Sequence, residues 1–91
     1  MLDRVTGMQV FARVAALGSF SAAARALGMS AAMATKHVDA LEDRLGARLF
    51  FRSTRKLTLT EAGQRHLQAT ERILAEIEEA EAAAAADVAE P

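Results

Sequence analysis

The fold is decided by residues 19–46, which read SFSAAARALGMSAAMATKHVDALEDRLG. Two runs rich in alanine and leucine are separated here by a short break that contains Gly28 and Ser30. A glycine that ends one helix, followed closely by a serine that caps the next, is typical of the turn in a helix-turn-helix. We therefore predict a short helix over residues 22–27 and a longer one over residues 31–45.

A further helix precedes this pair. Apolar residues recur at helical spacing over residues 3–17, and Gly18 follows as a C-terminal cap. Either Ser19 or Ser21 provides the cap that begins the helix over residues 22–27. The three helices together predict a compact helical core.

The segment after the third helix predicts a small β-hairpin, or wing. Residues 47–52 and 57–60 are apolar and β-branched enough for two short strands, and the residues between them are polar. Neither Asn-Gly nor Asp-Gly is present, so the type of turn stays open. Three cations cluster here: Arg52, Arg55 and Lys56.

After the wing the chain becomes helical again, to about residue 86. Its start is set either by a capping box of Thr58 with Glu61 or by Thr60 alone. We divide the chain into a winged helix-turn-helix domain (1–60), a linker or dimerisation helix (61–87) and a frayed tail (88–91).

One stripe of this last helix predicts a homodimer. A helix of about 25 residues spans roughly 38 Å, more than the diameter of a 60-residue core, so its exposed remainder needs a second copy. The alternative is that the stripe packs onto its own domain. The residues of the stripe are Leu67, Thr70, Ile73, Leu74, Ile77, Ala80 and Ala84.

Helical geometry separates two faces of residues 31–45. At about 100° per residue, one arc faces the core and contains Ala34, Val38, Leu41 and Leu45. The outward face is small and polar with one cation, which suits a major groove, although a merely solvated face would look similar. The candidate base contacts are Ala32, Met33, Thr35, Lys36 and Asp39.

The cationic wing beside this helix favours the DNA interpretation, because phosphate contacts position a protein on a duplex. Helix N-termini also present backbone amides to phosphates. The candidate contacts to phosphate or to the minor groove are Ser21, Ser30, His37, Arg52, Ser53, Arg55 and Lys56.

The charge distribution agrees with this interpretation despite a net charge of −1. Residues 1–60 hold nine Lys and Arg against four Asp and Glu, a balance of +5, whereas residues 61–91 hold two against eight, a balance of −6. The chain has no cysteine, which excludes disulfides and thiolate metal sites. No apolar run approaches the ~18 residues of a membrane span, and no signal peptide is evident, so we expect a cytoplasmic protein without membrane contact.

Several short segments of the sequence resemble those of a known protein family. They include Phe11-Ala12-Arg13-Val14-Ala15, Leu27-Gly28-Met29-Ser30, Leu49-Phe50 and Leu59-Thr60-Glu61-Ala62-Gly63. In this order and spacing, from about residue 2 to residue 86, the chain resembles the LysR-type bacterial transcriptional regulators. The resemblance implies a mainly α, winged helix-turn-helix fold with a long linker helix that pairs in a dimer.

The resemblance also implies a function: the third helix reads the major groove of a partly palindromic operator, and the wing (52–56) touches the adjacent minor groove. Members of the family normally continue into a large effector-binding domain. Since that domain is absent from this chain, the sequence looks like an isolated DNA-binding fragment.

Some residues depart from the family pattern, so an operator preference does not transfer. Lys36 keeps the charge of the usual arginine but loses its bidentate fork. Asp39 repels phosphate, and either accepts from cytosine N4 or pairs with a neighbouring cation. The departures are Ala31, Ala32, Thr35, Lys36, His37, Asp39 and Phe51.

Three other functions compete with DNA binding. An enzyme needs convergent polar groups, yet His37 and His66 lie on different helices with no partner at motif spacing, so no catalytic residue, metal or cofactor is expected. A protein-interaction module would explain the stripe but not the wing cations. A molybdate-type regulator has a similar N-terminal domain, and only its C-terminal part would distinguish it.

Overall fold

The computed structural model describes residues 2–53 and 56–89. Three short helices form a bundle, a two-stranded antiparallel hairpin follows, and a long helix ends the described chain. The elements are α1 (Arg4–Leu17), α2 (Phe20–Leu27), α3 (Ala31–Leu45), β1 (Phe50–Arg52), β2 (Leu57–Leu59) and α4 (Glu61–Ala89). The predicted winged helix-turn-helix with an appended helix is confirmed.

Each of the first three helices begins at a polar cap and ends at a glycine. The side chains of Asp3, Ser19 and Ser30 accept from the backbone amide three residues on, and Gly18, Gly28 and Gly46 lie in the left-handed region at φ 68–72°. Hydrogen bonds from the Thr6 hydroxyl and amide lower the pKa of the Asp3 carboxyl. Because Ser19 rather than Ser21 is the cap, α2 begins two residues earlier than predicted.

The core lies where the three short helices meet the base of the hairpin. Its buried residues are Val10, Phe11, Val14, Ala23, Ala24, Ala34, Val38, Leu41, Leu49 and Phe50. The Phe11 ring lies 5.4 Å from those of Phe50 and His66, so β1 and α4 both pack on α1. Leu45, predicted to face the core, is 47% exposed, because the buried part of α3 ends one turn earlier, at Glu42.

The wing pairs in a short register: Phe50 with Leu59, Phe51 with Thr58 and Arg52 with Leu57. Alternation of side chains along β1 buries Phe50 and exposes Phe51. Residues 54 and 55 lie outside the described residues, and so does the contact predicted for Arg55.

Helix α4 begins at a cap that ties it to the hairpin. The Thr60 hydroxyl accepts from the Gly63 amide (2.9 Å) and donates to the Arg48 carbonyl (2.7 Å), so Thr60 rather than the Thr58 capping box starts the helix. The helix runs 29 residues, about 43 Å at 1.5 Å per residue, and continues through Ala89, beyond the predicted start of fraying. Within residues 2–53 and 56–89, no helix combines the length and apolarity of a membrane span.

Candidate nucleic-acid interface

The N-terminal half of α3 presents the five predicted base-contact residues on its solvent side. Ala32, Met33 and Lys36 are exposed, and Thr35 and Asp39 are half-buried. The Thr35 hydroxyl donates to the Ala31 carbonyl one turn back, at 3.0 Å, so the hydroxyl is engaged by the backbone of its own helix. Apart from Met33 and Lys36, the side chains on this surface are short, so a flat or grooved partner can approach the backbone of α3 closely.

His37 does not belong to this surface. Its side chain is 6% exposed, and its Nδ1 atom has no hydrogen-bond partner among the described residues. A step of about 100° from Lys36 turns it toward the packed side of the helix, where the His37 carbonyl lies against Gly7 of α1. The prediction that His37 contacts phosphate is therefore wrong.

A buried carboxylate that sequence reasoning missed joins α3 to the wing. Glu42 is only 4% exposed and accepts from the Leu49 amide (2.8 Å), from Arg52 Nη2 (2.8 Å) and from Arg48 Nη1 (3.2 Å). A buried charge is stable only when donors surround it, and here they come from residues 48–52, which lead into β1 and include it. The sequence signal that could have indicated this cluster is the pair Arg48 and Arg52, which follow Glu42 by six and ten residues.

Arg52 is the second member of this cluster. Its Nη1 donates to Asp39 Oδ1 at 2.8 Å while its Nη2 donates to Glu42 Oε1 at 2.8 Å, and its guanidinium lies 5.2 Å from the centroid of the Phe20 ring. Of the two roles considered for Asp39, the structure shows pairing with a neighbouring cation. Arg52, 29% exposed, thus connects the wing to both α3 and α2.

The base of the wing and the start of α2 border one shallow cleft. Its lining includes Ser19, Phe20, Arg52, Ser53 and Lys56. The Ser53 hydroxyl accepts from the Lys56 amide (3.2 Å) and donates to the Lys56 carbonyl (2.9 Å), so it closes the turn from inside. The Lys56 side chain is exposed. The cleft therefore combines a helix N-terminus with the exposed cation of Lys56, a combination that attracts anions.

The two other predicted phosphate contacts lie at helix N-termini. Ser21 is exposed in the first turn of α2, and Ser30, also exposed, caps α3 by accepting from the Met33 amide at 3.1 Å. Both are placed on the outside of the helix-turn-helix. Their contact with phosphate stays a prediction, as do the contacts predicted for Ser53 and Lys56.

The predicted dimer stripe on α4 divides into two parts. Thr70 is fully buried, with its hydroxyl 2.9 Å from His66 Nδ1, and Leu67 packs half-buried on the domain's own core. The prediction that Thr70 contacts a partner is wrong, because the first turns of α4 lie on α1. The exposed or half-buried remainder consists of Ile73, Leu74, Ile77, Ala80 and Ala84.

Val88 extends this remainder, since it lies one turn beyond Ala84 on the same side and is exposed. The sequence pattern missed it, because the helix was expected to end near residue 86. The remaining stripe therefore runs to the end of the described helix.

Comparisons with known proteins agree with this architecture. Residues 5–64 match the family model described as "Bacterial regulatory helix-turn-helix protein, lysR family". The HTH-type transcriptional activator AaeR of Escherichia coli is 45% identical over 78 residues, which is 86% of this chain and 25% of that protein. The regulator CrgA of Neisseria meningitidis is 42% identical over 74 residues, 81% of this chain and 25% of that protein. The chain thus spans about a quarter of the length of these relatives.

Solved structures share the fold. The CbnR DNA-binding domain in complex with DNA superposes with a TM-score of 0.85 at 32% identity, over 94% of this chain and 99% of that one. The BenM DNA-binding domain in complex with a catB site superposes with a TM-score of 0.91 at 20% identity, over 98% of this chain and all of that one. From the match to the family model and the identity to its members, the chain belongs to the LysR family of bacterial regulatory helix-turn-helix proteins.

Proposed function

We propose that this chain binds specific sites in double-stranded DNA as part of a transcriptional regulator. Helix α3 enters the major groove, and the wing lies on the adjacent minor groove or backbone. The observation that carries the proposal is the exposed N-terminal half of α3, with Ala32 and Lys36 facing outward beside a wing fixed to the same helix. Small side chains permit close approach to base edges, and a lysine reaches guanine or phosphate.

Phosphate contacts come from the elements around α3. The N-termini of α2 and α3, marked by Ser21 and Ser30, offer backbone amides and the positive end of a helix dipole. Lys56 adds an exposed cation at the wing, and residues 1–60 carry a balance of +5. This charge supports the sequence-independent share of the affinity.

The comparisons support the same proposal. CbnR, 32% identical, was solved with DNA on the corresponding domain, and the curated relatives are named as transcriptional regulators. A protein with this role works where the bacterial chromosome lies, in the cytoplasm.

The domain acts as a homodimer through α4. Beyond Thr70 the helix carries an exposed Ile73 and a half-buried Leu74 and Ile77, none of which is part of the described core. A second copy related by a two-fold axis would cover this stripe and set two α3 helices for two half-sites. Sedimentation at micromolar concentration should show a dimer, and a stable monomer there would contradict this part of the proposal.

In-vitro selection of duplexes with the purified chain tests recognition directly. Enriched sites should contain two related half-sites in inverted order. Lys36→Ala should then lower the preference for the selected site over random duplex by about 1–3 kcal/mol. Arg44→Ala, at the exposed last turn of α3, serves as the matched control and should leave that preference unchanged. If no sequence is enriched, or if both variants behave alike, the assigned reading face is wrong.

A further inference from the structure

Asp39 places a carboxylate on the face of α3 that we assign to DNA, next to the wing. Its Oδ1 atom accepts from Arg52 Nη1 at 2.8 Å, and the side chain is half exposed. The other terminal nitrogen of Arg52 is held by the buried Glu42 at 2.8 Å. Each terminal nitrogen of the guanidinium therefore donates to a carboxylate of α3.

The surroundings leave Arg52 little freedom to turn outward. One side of its guanidinium lies toward the Phe20 ring, 5.2 Å from the centroid, and the side chain is 29% exposed. Glu42 in turn is fixed by the Leu49 amide at 2.8 Å. A phosphate oxygen that approached the guanidinium at Nη1 would meet the Asp39 carboxylate bonded there, and the two negative charges would repel each other.

We propose that Asp39 is a positioning residue that holds Arg52 on α3 and away from the DNA backbone, and thereby lowers the affinity of the domain for DNA of any sequence. The proposal rests on the DNA-binding function proposed above. An arginine free to contact a phosphate adds one released counterion to the binding equilibrium, and Asp39 prevents that contribution. When phosphate contacts contribute less to the affinity, base contacts contribute a larger fraction of it.

The alternative role for Asp39 is acceptance of a hydrogen bond from cytosine N4. The geometry favours the positioning role, since the Asp39 carboxylate already forms a short ion pair with Arg52, with which a base would have to compete. The two roles differ in their effect on random DNA: a base contact contributes only at the matching sequence, whereas a held arginine affects every duplex.

Binding to a mixed-sequence duplex as a function of salt tests the proposal. Asp39→Ala should bind this duplex more tightly than wild type at low salt. Its plot of log affinity against log salt should be steeper by about 0.9, which makes the loss of affinity between about 50 and 200 mM salt roughly 3.5-fold larger. Asp39→Asn, which removes the charge and keeps the shape, should change the slope in the same direction.

Two further variants separate this effect from a change in net charge. Asp43→Ala removes the same charge one turn along α3 from an exposed side chain, and it should leave the slope as in wild type. Asp39→Glu should restore the wild-type slope, because a longer carboxylate still reaches Arg52. Thermal unfolding followed by circular dichroism verifies that every variant is folded at the assay temperature.

The possible results separate the two proposals. If wild type binds the duplex with a normal salt dependence but Asp39→Ala has the same slope, or if Asp43→Ala matches Asp39→Ala, the positioning role is refuted and DNA binding stands. Weaker binding of Asp39→Ala to a selected site alone would assign Asp39 to a base instead. If wild type shows no salt-dependent affinity for any duplex, both proposals fall.

Discussion

Replacement of Gly63 by alanine should separate α4 from the wing. Gly63 lies in the first turn of α4, and a β-carbon there would overlap the carbonyl oxygen of Leu49 and come within 3.0 Å of its carbonyl carbon. That carbonyl also accepts from the Thr60 amide at 3.0 Å, so it cannot move aside without loss of the hydrogen bond. Overpacking costs about 1–3 kcal/mol and the weakened hydrogen bond about 1 kcal/mol, so we expect a loss of about 2–4 kcal/mol.

Gly7 offers a matched control with the opposite expected sign. It lies inside α1, where a β-carbon would meet only the His37 carbonyl oxygen, at the ordinary contact distance of 3.7 Å. Alanine favours the helix interior over glycine by up to about 1 kcal/mol, so Gly7→Ala should stabilise the domain.

Equilibrium urea unfolding of the two variants measures both changes against a total stability of roughly 5–15 kcal/mol. Gly63→Ala should unfold at a lower urea concentration than wild type, and Gly7→Ala at a higher one. If Gly63→Ala is as stable as wild type, the close approach of α4 to the Leu49 backbone is not what selects glycine there. A large loss of stability in Gly7→Ala would also contradict the reasoning, because a β-carbon at that position meets its neighbour at an ordinary contact distance.

Three further predictions concern other parts of the molecule. Glu42→Ala should lower the free energy of unfolding in urea by about 3–5 kcal/mol, because it leaves a buried amide and an arginine without their acceptor. Glu61→Ala, which removes an exposed ion pair, should change it by under about 1 kcal/mol, and equal effects of the two variants would contradict the assignment. The lowered pKa of the Asp3 carboxyl means that its stabilisation is complete above the ordinary value of 3.8 and is lost as the pH falls through the lowered pKa. The stability gap between wild type and Asp3→Ala should therefore narrow in acid, and a gap that widens there would show the sign to be wrong. Ile73→Glu should yield monomers in sedimentation velocity while Gln68→Glu, on the opposite side of α4, stays dimeric; a dimeric Ile73→Glu would place the interface elsewhere.

Local sequence signals were sufficient for most of the fold. The glycine after each of the first three helices, together with the serine before the second and the third, placed the helix bounds within two residues of those observed, because caps act on neighbours along the chain. Periodicity also placed Lys36 outward and Val38 inward. These features depend on residues no more than four positions apart, and so a single sequence contains them.

The errors share a different cause. Leu45 has the right angle on α3 but lies past the end of the core, and Thr70 lies on an apolar stripe whose first turns are covered by α1. The burial of Glu42 depends on amides seven and eight residues away that approach only when the chain turns back. Periodicity gives the direction of a side chain but not what covers it, so tertiary contacts decided each of these residues.

Helix α4 is attached to its own domain through its first turns, and the rest of the helix extends away from these contacts. A movement of the far end is therefore transmitted to the domain. Its base is fixed at Thr60, Gly63 and Thr70, while about 43 Å of helix extends from the first residue to the last described one. The part of the helix beyond Thr70 is about 28 Å long, so a tilt of 10° about that anchor would move the far end by about 5 Å, and the domain attached to the base would rotate with the helix. A neighbouring chain that contacted the last turns of α4 would thereby change the orientation of the helix-turn-helix domain without touching it.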